Sequence, residues 1–309
     1  MSILATTQQP ASASLLRRFI LRHPLVAYFV LAFAGTWLAT APLVLGEDGS
    51  GLLAYHVPGW LFLLIYVLSA YTGPALAAYV VIRTERGMPG VRAWLRRFVQ
   101  WRVGIRWYLV AIFGLFFVWL IAYSLVYGGT LLLAVAQGGA GLWSLFLGTL
   151  LLGILVPGYG EEAGWRGFAL PRLQALHGPL IASLVLGALH GAWHLPVFFT
   201  PFLGPFTPTK FTAFFLTALA MTFIYTWIYN NTKGSILIAA LVHAAINATS
   251  TTLTTVIPTS ASLPGWLQSF VDNGWLNALT LGLVALLLVV LTRGTLSYPT
   301  DPTAALDQR

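Results

Sequence analysis

The chain contains no cysteine, which excludes disulfides, thiolate metal sites and cysteine nucleophiles. Charge is almost as scarce. Charged residues make up 8% of the 309 residues, against about 25% in soluble domains. So little charge cannot cover an apolar interior with a polar surface. The mean hydropathy of +0.82 makes lipid the natural solvent. The H-E-x-x-H signature of zinc proteases and the G-x-S-x-G signature of serine hydrolases are also missing. No internal repeat and no soluble domain stands out along the chain.

What the chain has is long apolar runs. A helix crossing about 30 Å of hydrocarbon needs roughly 20 such residues. Candidate runs lie at 24–46, 59–83, 107–127, 142–157, 179–199, 211–230, 234–255 and 275–293. The expected fold class is therefore an all-α polytopic membrane protein with about eight transmembrane helices. The fourth run is the shortest, and Gly138, Gly139 and Gly141 blur its start. The first run continues to Leu45, long enough to be an uncleaved span rather than a signal peptide.

Basic residues orient these spans. Arg17, Arg18 and Arg22 precede the first, and Arg86, Arg92, Arg96, Arg97, Arg102 and Arg106 fill the connection between the second and third. Lys233 lies between the sixth and seventh, Arg293 follows the eighth, and Lys210 alone falls on the other side. The positive-inside rule then puts both termini in the cytoplasm. The loops at 47–58 and 256–274, with Glu47, Asp48 and Asp272, face outward. A net charge of +8 could suggest nucleic acid. However, Val91, Trp94, Leu95, Phe98 and Val99 recur at helical spacing among the arginines of 84–106. That pattern fits a juxtamembrane amphipathic helix serving topology and lipid anchoring, with no nucleic-acid partner.

The chain divides accordingly. Residues 1–23 form a cytoplasmic N-terminal segment, and 24–157 hold the first four spans with the basic segment at 84–106. Residues 158–255 form a polar-studded core. An outer loop and the last span occupy 256–293, and 294–309 are a disordered cytoplasmic tail.

Ionisable groups inside a membrane are costly and usually functional. Of the eight acidic residues, only Glu161 and Glu162 sit between two apolar runs. His190 and His194 lie within the fifth run, and His243 within the seventh. Glu162 and Arg166 are four residues apart on one helix face, as are His190 and His194, and His243 and Asn247. One such pair could simply bridge helices. Three within 90 residues favour a shared site. A carboxylate can act as general base toward water, and imidazole and amide N–H groups can stabilise an oxyanion. Alternatively, Glu and His can hold a divalent metal.

The stretch Glu161-Glu162-Ala163-Gly164-Trp165-Arg166-Gly167, continuing to Pro171-Arg172-Leu173-Gln174, resembles the E-E-x-x-x-R motif of the CPBP family. That family contains the type II CAAX prenyl endopeptidases and bacteriocin-processing or immunity proteins. His190-Gly191-Ala192-Trp193-His194 is similar to its F-x-x-x-H motif, with His190 in place of the usual Phe. His243-Ala244-Ala245-Ile246-Asn247 matches H-x-x-x-N. The resemblance covers about 158–250.

It implies an intramembrane endopeptidase acting on a membrane-anchored, CAAX-type prenylated substrate. Glu161 would be the general base, and Glu162 would assist it or orient the site through Arg166. His194 would share the water or a metal, and His243 and Asn247 would stabilise the oxyanion. The resemblance leaves open a metal-free glutamate mechanism and a divalent metal such as zinc on Glu161, His194 and His243. His190 and Trp165 are expected beside the site, His190 as an aromatic stand-in for Phe. The expected partners are membrane lipids and the anchored substrate, in the plasma membrane, with the site opening toward the cytoplasm. The alternatives are a non-catalytic immunity or scaffold protein and a proton-coupled transporter.

Overall fold

The computed structural model describes residues 15–203, 206–257 and 263–298, and the statements below concern those residues. All of their regular structure is helical. This follows from the solvent, because a backbone in hydrocarbon must satisfy its own N–H and C=O groups. The elements that frame the site are α1 (Pro24–Leu45), α2 (Gly59–Ala70), α3 (Leu76–Arg96), α4 (Leu115–Tyr127), α5 (Gly139–Gly153), α6 (Tyr159–Gly164), α7 (Leu170–Trp193), α8 (Pro208–Asn231), α9 (Ile236–Val256), α10 (Gly265–Asp272) and α11 (Trp275–Leu291).

Six helical segments are long and apolar enough to cross a membrane, or seven if α10 and α11, bent by 66°, count as one span. The chain is thus an integral membrane protein. The expected eight runs lie within these segments, but some run together. Residues Gly139–Phe199 form one 61-residue helical segment containing the expected fourth and fifth runs. Its division falls at Gly178, where φ of 74° kinks the backbone just before Pro179. A second such kink, at Gly87 with φ of 63°, separates the apolar part of α3 from its arginine-rich end. The side chains of Leu125, Leu152 and Val290 are 84%, 68% and 63% exposed, as lipid-facing residues should be.

Two apolar cores meet inside the bundle. One gathers Trp107, Phe116, Trp119, Phe146, Ile224, Tyr225, Ala244 and Leu281. The other gathers Tyr28, Val81, Trp94, Trp165, Phe168, Leu186 and Trp193. Helix α9 lies between its neighbours with 67% of its apolar window buried. Its first turn is capped by Ser235, whose Oγ accepts from the Ile238 N–H.

The tail departs from expectation where it is described. Leu296 is fully buried, and its carbonyl accepts from Asn230 Nδ2, which belongs to a buried amide pair with Gln174. A local hydrophobic anchor and a hydrogen bond therefore hold 295–298 in place. The remainder of the expected disordered tail, 299–309, lies outside the described residues, as do 1–14 and 258–262 of the outer loop.

Helix α6 packs against the turn at Tyr71–Ala75 because its glycines leave room. A side chain at Gly164 would strike the Pro74 backbone and the Tyr28 hydroxyl. Gly164→Ala is therefore expected to lose about 1–3 kcal/mol through overpacking. A fall in the detergent unfolding temperature would register it, whereas Gly141→Ala, in open space, should be silent.

Between α1 and α2, His56 lies 2.7 Å from Glu47 and 3.0 Å from Asp48. The hydrogen bond to Asp48 and the two carboxylate charges raise its pKa. A raised value means this contribution is complete below the ordinary value of about 6.5 and is lost as pH rises through the raised one. NMR titration should place the His56 midpoint above that of Asp48→Asn protein.

Candidate active site

The carboxylates sit on α6, between two turns wound as π-helix, Ile154–Gly158 and Trp165–Ala169. Each wide turn has a proline cause. Pro157 has no N–H for the Gly153 carbonyl, and Pro171 has none for that of Gly167. Such bulges re-aim side chains and are frequent at functional sites.

Glu162 is fully buried. Its Oε1 accepts from Arg166 Nη1 at 3.1 Å and lies 2.9 Å from His243 Nδ1. Arg166, also fully enclosed, stacks its guanidinium 3.9 Å from the Tyr225 ring centroid and reaches Thr222 Oγ1 at 3.4 Å. A charge removed from water survives only where partners replace the solvent. Here those partners come from α8 and α9 as well as from the next turn of the same segment.

Glu161 faces the other way. Its Oε2 lies 3.0 Å from His190 Nε2, and both side chains are buried. His194 Nδ1 lies 2.9 Å from the His190 carbonyl. A carbonyl only accepts, so Nδ1 carries a proton and the neutral ring keeps a bare Nε2. Trp165 stands 5.1 Å from the His190 ring and 5.7 Å from that of Trp193, and Phe214 stands 4.9 Å from His194. Asn247 is half-buried one turn beyond His243 on α9.

The structure thus brings Glu161, Glu162, Arg166, His190, His194 and His243 into one connected group. It changes two assignments. His190 does not merely replace an aromatic ring, because it bonds directly to Glu161. The expected ligand trio is also rearranged. Ligand atoms of Glu161, His190 and His194 all lie within 4.8 Å of one another, whereas His243 turns Nδ1 to Glu162. Two imidazole nitrogens and a carboxylate oxygen form a donor set that suits zinc. Sequence reasoning missed Thr222 and Tyr225. Their three-residue spacing in an apolar run was the available signal, but nothing in the sequence ties that run to Arg166.

Comparison with known proteins points to the same segment. Residues 141–249 match the family model described as type II CAAX prenyl endopeptidase Rce1-like. A CAAX prenyl protease 2 from Methanococcus maripaludis is 30% identical over 129 residues, 40% of this chain and 47% of that protein. The chain therefore spans about half the length of the curated relative it matches.

Removing one member of the buried pair leaves the other charge stranded. Arg166→Ala is expected to destabilise the fold by about 3–5 kcal/mol, measured by thermal unfolding in detergent. Arg166→Met with Glu162→Gln together should recover part of that loss.

Proposed function

We propose, from the premise that residues 141–249 form a Rce1-like domain of the CPBP family, that this chain is an intramembrane endopeptidase. The observation that carries the reading is the grouping of Glu161 with His190 and His194 inside an apolar, membrane-spanning segment. A lipid-embedded chain has little reason other than chemistry to gather two buried carboxylates with one buried and two half-buried imidazoles.

In this reading Glu161 is the general base. It takes a proton from a water molecule as the water oxygen attacks the scissile carbonyl carbon. His190 Nε2 orients the carboxylate through Oε2, and the bare Nε2 of His194 accepts from the same water. Negative charge builds on the carbonyl oxygen, where Asn247 Nδ2–H donates, joined by Nε2–H of His243 when that ring is an imidazolium with Nδ1–H given to Glu162. Glu162 and Arg166 hold His243 in position. Collapse of the tetrahedral species breaks the C–N bond, and Glu161 returns its proton to the leaving amine, giving a carboxylic acid and an amine that ionise to carboxylate and ammonium. Glu161, His190 and His194 are also the residues that would hold a divalent metal such as zinc. When bound, it would act as a Lewis acid toward water or the carbonyl.

The substrate class we favour is a membrane-anchored peptide of the prenylated CAAX type. The curated relative's description as a CAAX prenyl protease supports it. The arginine distribution supports a site opening toward the cytoplasmic face of the plasma membrane.

Purified protein in detergent should cleave a farnesylated CAAX peptide, with products identified by mass spectrometry. Glu161→Gln should lower turnover by about 10²–10⁴-fold while leaving the unfolding temperature near wild type. Undiminished turnover in that variant would sink the assignment. Metal content of active protein, with chelator inhibition, separates the two versions of the mechanism: full activity without stoichiometric metal rules out the metal-dependent one.

A further inference from the structure

The segment around Trp94–Gln100 does more than anchor to lipid. One of its faces remains open, with Arg92, Leu95, Arg96 and Val99 exposed. The opposite face is docked onto three backbone carbonyls that follow the two glutamates and onto a tyrosine hydroxyl that precedes them. Trp94 Nε1 donates to the Ala163 carbonyl at 3.0 Å. Arg97 donates from Nη1 to the Gly167 carbonyl at 3.1 Å and from Nη2 to that of Arg166 at 3.4 Å. The Phe98 carbonyl accepts from the Tyr159 hydroxyl at 2.8 Å. The same segment grips the start of the helix that carries His243. Arg97 Nε donates to the Gly234 carbonyl at 2.9 Å, Gln100 Nε2 to the carbonyls of Thr232 and Lys233, both at 3.2 Å, and Ser235 Oγ to the Gln100 carbonyl at 2.8 Å. Tyr229 steadies the guanidinium through a 2.5 Å hydrogen bond and its ring face.

The chemistry explains why these donors are needed. Around the wide turn at Trp165–Ala169 the Leu170 N–H bonds the Trp165 carbonyl, five residues back. In that register the Arg166 carbonyl would be served by residue 171, and in α register the Gly167 carbonyl would be too. Residue 171 is proline, which has no N–H. Two carbonyls are thus left to find donors in a low-dielectric interior, where an unmet polar group is costly. One planar guanidinium serves both while holding Gly234 of the other helix.

We propose that Arg97 and Trp94 are positioning residues that fix the register of Glu161 and Glu162 against His243, by clamping the helix of the one to the start of the helix of the other. This rests on the peptidase reading for its kinetic consequence, but not for its structural one. Lysine cannot replace the arginine, because a single ammonium cannot span three carbonyls in fixed directions.

The test uses full-length protein in detergent and the variants Arg97→Ala, Arg97→Lys and Trp94→Phe, the last keeping the ring while removing the N–H. Turnover of the farnesylated CAAX peptide is expressed per folded molecule. Arg97→Ala should lower kcat by about 100-fold, as a small misplacement does, with KM within about twofold. Methylguanidinium should restore part of it, and Arg97→Lys should stay impaired. Trp94→Phe should lower kcat about tenfold, the worth of one hydrogen bond. Hydrogen exchange read by mass spectrometry provides the arm independent of activity: amides of 161–169 should exchange faster in Arg97→Ala and Trp94→Phe, while those of 179–193 stay at wild-type rates. Unchanged exchange over 161–169 in both variants, or wild-type kcat in both, overturns the clamp. If wild-type protein cleaves nothing, the peptidase reading has failed, and the exchange result alone upholds or overturns the clamp.

Discussion

Glu162 is enclosed on all sides, and one of its oxygens is shared by Arg166 and His243. In a chain with so few charges, this three-way contact constrains everything around it. The carboxylate has lost its water, so its partners must hold still. Arg166 is held by the Tyr225 face and Thr222, both on α8. His243 is held by α9, the most enclosed of the candidate spans. Two helical segments are therefore tied together at a single oxygen atom, and α8 joins them through Arg166. Glu161, one residue earlier on the helix, inherits a fixed direction toward His190 and His194.

The helix that carries both glutamates is not a regular one. Its two wide turns, beside Pro157 and Pro171, free backbone carbonyls that an ordinary helix would have satisfied. Beside Pro171, Arg97 meets this need by donating to the carbonyls of Arg166 and Gly167. Arg172 adds a bond to the Phe168 carbonyl at 3.3 Å while pairing with Glu85 at 2.8 Å. Arg97, one of the basic residues of the segment 84–106, thus completes a broken hydrogen-bond ladder. Close approach of helices through Gly158, Gly160 and Gly164 lets this region sit against the turn at Tyr71–Ala75 and against α9. The part from 160 to 171 is tolerated because protein, not lipid, surrounds it.

Much of the fold was legible from the sequence. Scarcity of charge and the length of the apolar runs gave a helical membrane protein, since hydrocarbon allows a chain few other ways to satisfy its backbone. Boundaries were partly legible. The kink at Gly178 falls just before the fifth expected run, at 179, and that at Gly87 just after the second, at 83, but local composition does not say whether a glycine kinks a helix or ends it. The anchoring of Leu296 was hidden for a related reason: a single apolar residue in a polar tail carries no periodicity.

For the site, the sequence by itself singled out the polar residues that the apolar chain carries and determined how they pair along each helix. The four-residue spacings of Glu162 with Arg166, His190 with His194 and His243 with Asn247 follow from helix geometry alone. Tertiary structure alone decided which helix faces which. It turned His243 toward Glu162 and His190 toward Glu161, so that His190, rather than His243, stands with Glu161 and His194. It also brought Trp94 and Arg97 onto carbonyls some 70 residues away in the chain. The physical reason is that spacing along a helix fixes only the angle of a side chain about its own axis. The partner at that angle is set by how neighbouring helices pack, and that depends on glycines, prolines and aromatic rings spread over the whole chain.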